Sequence, residues 1–341
     1  MGKYKVGFRQ GHVHDPARQN WSGDGPRPIR WSTWYPAVSN AVEQSIAVPP
    51  SNPLFLMGIV ARDTAINQEC ERFPVVLLSH GTGGTAASLG WIAQALASIG
   101  YVVIGVDHHG NTASEPYRAE GFLCWWERSR DLSVVLDLLT NDDVLAGRLD
   151  TSRVACLGFS LGGYTVLSIL GAITEMARFS EWAGPSQLGR GPREFPDLGS
   201  WIEPLLRDSM VFRSSWERQS VSYVDQRVVT AVALAPAPTV RAFTPDSLAG
   251  VEVPVTLMVG EADREAPMAP CAVWLNDRLP NSKLHSLGRD VGHYTLLCAG
   301  TEEGRRLEPE ICIDAPGVKR RHVHQQAIQI ALAAIGRDLP A

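Results

Sequence analysis

The sequence lacks the features of membrane-spanning, disulfide-rich and nucleic-acid-binding proteins. No apolar stretch approaches the roughly 18 residues that a membrane-spanning helix needs, and prolines interrupt the longest candidate, residues 229–240. The six cysteines are too few for a disulfide scaffold and show no C-x-x-C spacing, which disfavours structural zinc. The net charge of -5 and the scattered Lys and Arg residues give no electrostatic attraction to a phosphate backbone. We therefore expect no membrane span, no nucleic-acid partner and no bound metal.

A secretion signal is also missing from the first residues. Residues 1–8 mix Lys3 and Lys5 with apolar positions and contain no continuous hydrophobic region. We therefore expect a cytoplasmic protein, with a periplasmic or secreted protein as the alternative if a signal peptide has been removed. Hydrophobic residues make up 45% of the chain and charged residues 20%, which is ordinary for a soluble globular protein that buries a sizeable core.

What the sequence does contain is an alternation of strand-like and helix-like segments. Short unbroken apolar runs are typical of buried parallel strands, and they occupy residues 74–79, 101–106, 154–159, 228–235 and 253–259. Helical spacing of apolar residues covers residues 88–99, 123–139, 161–178, 267–279 and 321–335. The alternation predicts an α/β fold, with a mostly parallel sheet covered by helices on both faces.

Two further regions complete the predicted organisation. Residues 3–8 and 28–35 are rich in β-favouring side chains, which predicts two antiparallel strands at the N-terminal edge of the sheet. Residues 171–225 are too long for an ordinary connection and carry many Trp, Phe, Gly and Pro residues. We interpret residues 1–341 as one domain and residues 171–225 as an insertion over the sheet, either a hydrophobic lid or ordinary packing.

The segment R-V-A-C-L-G-F-S-L-G-G, residues 153–163, places the pattern G-x-S-x-G between an apolar strand and a helix. Gly158 and Gly162 flank Ser160 in this pattern. Small residues are needed there because the turn from strand to helix is tight and pushes the serine hydroxyl out of the sheet. The pattern alone is a weak signal, since an ordinary turn can contain it by chance. Its position between a strand and a helix makes Ser160 the candidate nucleophile.

A glycine-rich segment, S-H-G-T-G-G at residues 79–84, follows an earlier predicted strand. Glycine-rich backbone leaves amides free to face a ligand, and two N–H groups aimed at the oxyanion of an acyl-transfer intermediate stabilise it strongly. We predict that the backbone amides of Thr82 and Leu161 form this oxyanion hole. Without Ser160, the segment would fit a plain strand-to-helix turn equally well.

A serine hydroxyl is a weak nucleophile and needs a histidine base, which is itself held by an acid. In hydrolases with this elbow, the residues follow one another in the order Ser, acid, His. His293 fits best because it lies in a loop, V-G-H-Y, after the predicted last strand at residues 283–286. His285 falls within that strand, whereas His322 and His324 belong to the terminal helix, so we interpret these three as structural.

The acid is predicted at the end of the strand that finishes V-G-E-A-D. The carboxyl ends of parallel strands are where α/β sites form, and Asp263 stands there. Glu261 is the near competitor, and Asp225 and Asp290 are weaker candidates. Asp107 precedes the serine and so breaks the expected order. The alternative role for Asp263 is a loop carboxylate that caps the next helix.

Together with W-Y-P-A at residues 34–37, these motifs resemble the dienelactone hydrolase-like branch of the α/β hydrolases, close to bacterial platelet-activating-factor acetylhydrolase relatives. The resemblance covers nearly the whole chain and implies cofactor-free hydrolysis of carboxylic esters. There are departures: dienelactone hydrolases use cysteine where Ser160 stands, and acetylhydrolases often have His where Phe159 stands. In acetylhydrolases the acid can follow the preceding strand, but here that strand ends in A-P-A, which strengthens Asp263.

The resemblance also implies a cysteine pair near the catalytic histidine, at Cys298 and Cys312. A disulfide between them would brace the loop of His293. Two reduced thiols in the core are the alternative, since the chain shows no export signal.

The sequence therefore predicts a serine hydrolase that cleaves small-molecule carboxylic esters through an acyl-enzyme on Ser160, with no cofactor. Lactone and amide bonds are alternative substrates. A metal-dependent hydrolase would have to use the close histidine pairs, but no carboxylate-histidine helix motif joins them: His12 and His14, His108 and His109, His322 and His324. A non-catalytic binding protein on the same fold is the last alternative, and the intact Ser, acid and His argue against it.

Overall fold

The computed structural model describes residues 2–49, 51–140, 142–143, 145, 147–184 and 191–341. The strands are β1 (Lys5–Gln19), β2 (Pro26–Ala37), β3 (Gln44–Val48), β4 (Phe55–Arg62), β5 (Phe73–Ser79), β6 (Val102–Asp107), β7 (Leu149–Phe159), β8 (Val228–Leu234), β9 (Val255–Val259), β10 (Ser282–Ser286) and β11 (Ala299–Gly300). The α-helices are α1 (Gly90–Ala97), α2 (Ala119–Leu123), α3 (Glu127–Leu139), α4 (Leu161–Ile169), α5 (Met176–Ala183), α6 (Ile202–Asp208), α7 (Met210–Glu217), α8 (Pro245–Ala249), α9 (Trp274–Asn276), α10 (Glu302–Leu307), α11 (Pro309–Cys312) and α12 (Arg320–Asp338).

The strands form a sheet in the order β10-β9-β8-β7-β5-β6-β2-β1-β4-β11, with β3 paired to β4. Strands β5 to β10 run parallel to one another. At the centre, Leu77 of β5 lies opposite Ile104 of β6 and Cys156 of β7. Because parallel strands present their carboxyl ends at one edge, the loops that follow β5, β6, β7 and β9 meet there.

Helices cover both faces of this sheet. Helices α1 and α12 pack together on one face, and α3 and α4 pack together on the other. Strands covered on both sides must be apolar throughout, and every residue of β6 and β9 is buried. Each fully buried Val, Leu or Ile contributes about 1.5–3 kcal/mol to folding. The predicted α/β class, with a mostly parallel sheet and helices on both faces, is confirmed.

The N-terminal edge of the sheet is antiparallel, as predicted. Strands β1 and β2 pair with Phe8 opposite Trp34, and β2 pairs antiparallel with β6. Strands β3 and β4 were not predicted from the sequence. The alternation of buried and exposed residues is irregular in β4, which contains Gly58 at a φ of 130°, so its sequence carries no clear strand pattern.

Three predicted helices are clearly shorter in the structure. The helix expected over residues 267–279 consists of a π-helical turn, Ala269–Val273, followed by the short α9. The helix expected over residues 161–178 ends at Ile169, because Gly171 adopts a φ of 104° that closes the helix. The helix expected over residues 123–139 is divided into α2 and α3, separated by residues 124–126. In the described residues, no helix is long and apolar enough to cross a bilayer.

The segment 171–225 contains α5, α6 and α7, while its residues 185–190 lie outside the described residues. Its aromatic rings pack on aromatic rings of the α2–α3 junction, with centroid distances of 4.9 Å for Phe179 on Trp125, 4.9 Å for Phe195 on Phe122 and 5.7 Å for Trp216 on Trp126. Trp201 stays 43% exposed. Much of the aromatic content is therefore used for packing, and the role of the segment as a lid stays a prediction.

Candidate active site

Ser160 lies at the sharp turn between β7 and α4. Its φ of 54° and ψ of -115° are strained for a residue with a side chain and cost about 1–3 kcal/mol. The backbone holds this conformation, because the Ser160 N–H donates to Leu234 at 2.8 Å and its carbonyl accepts from Ala237 at 3.0 Å. A Cβ at Gly158 would overlap the carbonyl oxygen of Gly162, so only glycine fits the first flanking position.

The structure brings the side chains of Ser160, His293 and Asp263 together. Ser160 Oγ lies 3.0 Å from His293 Nε2, and His293 Nδ1 lies 2.7 Å from Asp263 Oδ2. Because a carboxylate only accepts, Nδ1 carries the ring proton and the lone pair of Nε2 faces the serine hydroxyl, which suits a general base. The exposed fractions are 8%, 7% and 5% respectively, so all three side chains are buried. We call these three residues the outer array.

Two connected loops hold the acid and the base in place. The second oxygen of Asp263, Oδ1, accepts from the Ala266 N–H at 2.7 Å. Ala266 lies in the loop before the helical turn that begins at Ala269, whose N-cap Met268 has no side-chain cap hydrogen bond. The contact therefore braces the loop of Asp263, and the helix cap considered from the sequence is not formed. The Ala262 N–H donates to the Val291 carbonyl at 3.1 Å, which ties the loop of Asp263 to the loop of His293.

The turn His293–Leu296 rests on an aromatic stack. The Trp91 indole N–H donates to the Leu296 carbonyl at 3.0 Å, and the Trp91 ring stacks on His324 with centroids 3.8 Å apart. His324 Nε2 donates to the Thr295 carbonyl at 2.8 Å. Burial lowers the pKa of His324 to about 4, so this imidazole is neutral at neutral pH. A buried, uncharged histidine thus supports the turn that carries His293.

The competing acids and histidines have other partners or lie on the surface. Glu261 accepts from Ser286 Oγ at 2.6 Å, and Asp225 forms an ion pair with Arg227 at 2.6 Å. Other candidates lie away from the outer array: His285 in β10, and the exposed Asp290 and His322.

The two predicted oxyanion donors lie next to the nucleophile. Leu161 is the first residue of α4, so its N–H has no carbonyl acceptor one turn earlier in the helix. Gly81 packs against Ser160, since a Cβ built on Gly81 would lie 3.2 Å from the Ser160 Cβ. Thr82 follows Gly81, and its N–H has no backbone acceptor in the part of the chain that the structure describes. Both amides are therefore available to a ligand beside Ser160.

A second Ser–His–Asp arrangement lies inside the protein and was not predicted. Ser79 Oγ lies 2.9 Å from His108 Nε2, and His108 Nδ1 lies 2.9 Å from Asp131 Oδ2. None of the three residues is more than 1% exposed. We call Ser79, His108 and Asp131 the inner array.

Arginines surround the inner array. Arg18 and Arg27 contact Asp131 at 2.6 Å and 2.9 Å. Burial alone would raise the pKa of Asp131, but the charges of Arg27 and Arg18 hold it well below its ordinary value. Burial, aided by the charge of Arg128, lowers the pKa of His108 to about 3. Local sequence patterns could not reveal this cluster, because Asp131 is 104 and 113 residues from its two arginines.

A cleft of about 500 Å³ borders the 79–84 loop. The Tyr117 hydroxyl forms part of its wall and donates to the Gly83 carbonyl at 2.9 Å, which joins the cleft to the loop. Residues of the segment 171–225 contribute to the apolar lining: Phe195, Trp201 and Leu205. Polar lining residues contact one another, with His109 2.6 Å from Glu115 and Arg118 2.9 Å from Glu120.

In the part of the chain that the structure describes, neither the cysteines nor the histidine pairs form a disulfide or a metal site. All six cysteines are free thiols. Of the two alternatives for Cys298 and Cys312, a disulfide or two reduced thiols, the structure has the reduced thiols. Burial raises the pKa of Cys298 to about 12. Among the residues with a described position, no group of three or more His, Cys, Asp or Glu side chains could hold a metal ion.

Comparison with known proteins gives partial sequence matches. Residues 71–184 match a family model described as serine aminopeptidase, S33. A segment of 98 residues is 35% identical to Cutinase 2 of Thermobifida cellulosilytica and covers 28% of this chain and 34% of the cutinase. A segment of 91 residues is 32% identical to the bis(hydroxyethyl) terephthalate hydrolase of Streptomyces coelicolor and covers 27% of this chain and 26% of that enzyme. The chain thus spans about a third or less of the length of these curated relatives.

Among solved structures, the chain is similar over nearly its whole length to a ferulic acid esterase from Streptomyces cinnamoneus. The TM-score is 0.66 at 19% sequence identity, and the match covers 99% of this chain and 91% of that chain. At this identity the likeness establishes the fold. With the parallel sheet, the elbow at Ser160 and this match, the chain has the α/β-hydrolase fold.

Proposed function

We propose that this protein hydrolyses carboxylic esters, with Ser160 as nucleophile, His293 as base and Asp263 as the acid that orients the base. One observation carries the proposal: on its strained turn, the Ser160 hydroxyl lies 3.0 Å from His293 Nε2, while Asp263 holds Nδ1. The names of the cutinase, terephthalate hydrolase and ferulic acid esterase relatives favour an ester as the bond that is cleaved.

In the first half of the reaction, Ser160 Oγ attacks the ester carbonyl carbon and its proton moves to His293 Nε2. The carbonyl oxygen becomes an oxyanion, which accepts hydrogen bonds from the amides of Thr82 and Leu161. The carboxylate of Asp263 stabilises the positive imidazolium. His293 then gives its proton to the leaving alkoxide, the carbon–oxygen bond breaks, and the acyl group stays on Ser160.

In the second half, water attacks the acyl-enzyme. His293 takes a proton from the water, the same two amides stabilise the new oxyanion, and the proton returns to Ser160 as the carboxylic acid leaves. Protein groups and water supply every proton transfer in both halves.

The cleft beside the 79–84 loop gives the substrate an apolar binding surface. Gly81 lies against Ser160 and Gly83 accepts from Tyr117 in the cleft wall, and two residues of chain span at most about 7 Å. We infer that an apolar group of a small ester substrate lies along Phe195 and Trp201. In this proposal the segment 171–225 acts as a cap because it supplies one side of the cleft.

Within the α/β hydrolases, we place the chain in the dienelactone hydrolase-like branch. The motifs at residues 34–37, 79–84, 158–165 and 291–294 support this placement. The serine aminopeptidase description of the matched family model keeps amides in the substrate panel beside esters and lactones.

The test is the Ser160→Ala variant, assayed with p-nitrophenyl esters of increasing chain length, lactones and p-nitroanilides. We expect kcat to fall by at least about 10³-fold, because the variant lacks the hydroxyl that forms the acyl-enzyme in this proposal. A fluorophosphonate probe should label the unmodified protein once and Ser160→Ala not at all. Ser79→Ala is the matched control and should keep both labelling and activity within about tenfold. Full activity of Ser160→Ala, or loss of activity on chelation with EDTA, contradicts the proposal.

A further inference from the structure

Arg128 is a buried arginine that reaches both sides of the proposed oxyanion hole. It is 1% exposed and lies in the first turn of α3. One nitrogen, Nη2, donates to the His80 carbonyl and lies 3.3 Å from Ser79 Oγ. Another, Nε, donates to Thr165 Oγ1 at 3.1 Å, and the Thr165 hydroxyl donates to the Leu161 carbonyl at 3.0 Å. A single guanidinium therefore links the 79–84 loop to the first turn of α4.

Asn111 extends this link along the loop. Its Oδ1 accepts from the Gly83 N–H at 2.7 Å and lies 3.5 Å from Arg128 Nη1. Thr82 thus stands between His80 and Gly83, which are both connected to Arg128. These contacts therefore restrict the movement of the Thr82 amide.

The charge of Arg128 is unusual for so deep a position. The groups within its hydrogen-bond reach are neutral oxygens of Ser79, His80, Asn111 and Thr165. Burial lowers the pKa of the Arg128 guanidinium to about 9, which still leaves it positive at neutral pH. The charge of Asp131 attracts the guanidinium but does not outweigh the cost of burial, so a neutral side chain at this position would avoid that cost.

We propose that Arg128 is a positioning residue for the oxyanion hole: it fixes the Thr82 and Leu161 amides relative to each other and places a positive charge behind them. This inference rests on the proposed ester hydrolysis. Arg128 contacts neither Ser160 nor His293 in the structure and acts through the two backbone segments. Its contribution is therefore largest when the oxyanion forms, and small when the neutral ester binds.

The experiment compares Arg128→Lys, Arg128→Met and Thr165→Val, with rates counted per active site after titration with a fluorophosphonate. We expect kcat to fall about 10- to 100-fold in Arg128→Lys and further in Arg128→Met, with KM within about threefold. Thr165→Val keeps the guanidinium and removes one link, so we expect a smaller loss, about three- to tenfold. The affinity for an alkyl boronic acid, which forms a tetrahedral anion on the serine, should fall in parallel with kcat.

Arg27→Lys is the matched control, because Arg27 is a buried arginine of the same cluster that contacts Asp131. It should lower the melting temperature while leaving kcat per active site within about threefold. The proposal is wrong if Arg128→Lys or Thr165→Val keeps full kcat and boronate affinity per active site, or if Arg27→Lys loses as much kcat as Arg128→Lys. Should both Arg128 variants fail to fold, Thr165→Val decides. If the unmodified protein neither cleaves esters nor takes the probe on Ser160, the proposed function fails first.

Discussion

The outer and inner arrays have nearly equal hydrogen-bond lengths and very different surroundings. The serine-to-histidine and histidine-to-aspartate distances are 3.0 Å and 2.7 Å in the outer array, and 2.9 Å and 2.9 Å in the inner array. The outer serine stands on a strained turn at the edge of the sheet, whereas the inner serine ends β5 and is 0% exposed. A substrate carbonyl can approach the former only. The distances alone therefore do not identify a catalytic site.

The arrays also differ in the proton chemistry that their neighbours permit. A general base must hold a proton briefly during the reaction. Burial and the charge of Arg128 lower the pKa of His108 to about 3, so the inner imidazole resists protonation. Its serine oxygen also lies 3.3 Å from an Arg128 nitrogen. The inner array is therefore suited to joining strands and helices rather than to transferring protons.

The largest expected difference concerns the two histidines. His293→Gln should lower kcat by at least about 10³-fold, because the serine loses its base, while the protein stays folded. His108→Gln should keep kcat per labelled site within about tenfold and lose about 1–3 kcal/mol of unfolding free energy, because buried groups lose partners. Steady-state kinetics and urea unfolding of both variants measure this contrast. Equal losses of kcat in the two variants would mean that the inner array takes part in the reaction.

The next contrast concerns the two aspartates, and it is measured as a difference in the free energy of unfolding. Asp131→Asn removes the buried carboxylate that pairs with Arg27, whereas Arg18 keeps Asp15 and Glu127. Because it breaks the buried pair of Arg27, we expect a loss of about 3–5 kcal/mol in the free energy of unfolding. The free energy of unfolding of Asp263→Asn should lie within about 1 kcal/mol of that of the unmodified protein. This variant should lose activity instead, since the amide no longer orients His293. Guanidinium unfolding monitored by tryptophan fluorescence measures both. A stable Asp131→Asn would show that the charges of the cluster are not needed for folding.

The smallest effect concerns the support of the outer array and depends on pH. The folded pKa of His324 is about 4 and its ordinary value is 6.5, so both states are neutral above pH 6.5. As the pH falls from 6.5 to 4, only the unfolded state gains this proton, and up to about 3 kcal/mol of stability is lost. His324→Gln removes this loss and can still donate to the Thr295 carbonyl. Urea midpoints at about pH 7 and about pH 4.5 should therefore differ less in His324→Gln. An equal drop in both proteins would show that His324 does not titrate in this way.

The central sheet and the outer array were accessible to sequence analysis because their signals are local. A strand buried on both faces is a continuous apolar run, and an elbow needs small residues at fixed offsets from the serine. Asp263 and His293 each follow a strand within a few residues. The residues of the outer array stand at positions that local sequence patterns identify. The sequence could therefore predict that these three side chains lie together.

The inner array and the contacts of Arg128 have no such local signal. His108 lies in the loop after β6 and Asp131 lies 23 residues later in α3, while Arg128 is 49 residues from Ser79. Single aspartates and arginines in a helix usually face solvent, and the packing of α3 against the sheet buries Arg128 and Asp131. Strand β4 and the ends of α2 and α4 were missed for a related reason, since tertiary contacts and Gly171 determine them.

The separation of Ser160 and His293 along the chain also means that the ribosome synthesises them at different times. The two residues are 133 positions apart, so at a synthesis rate of about 5–20 residues per second His293 is added about 7–27 s after Ser160. Chains released early by interrupted translation contain Ser160 but lack His293, so under the proposed mechanism their serine has no base.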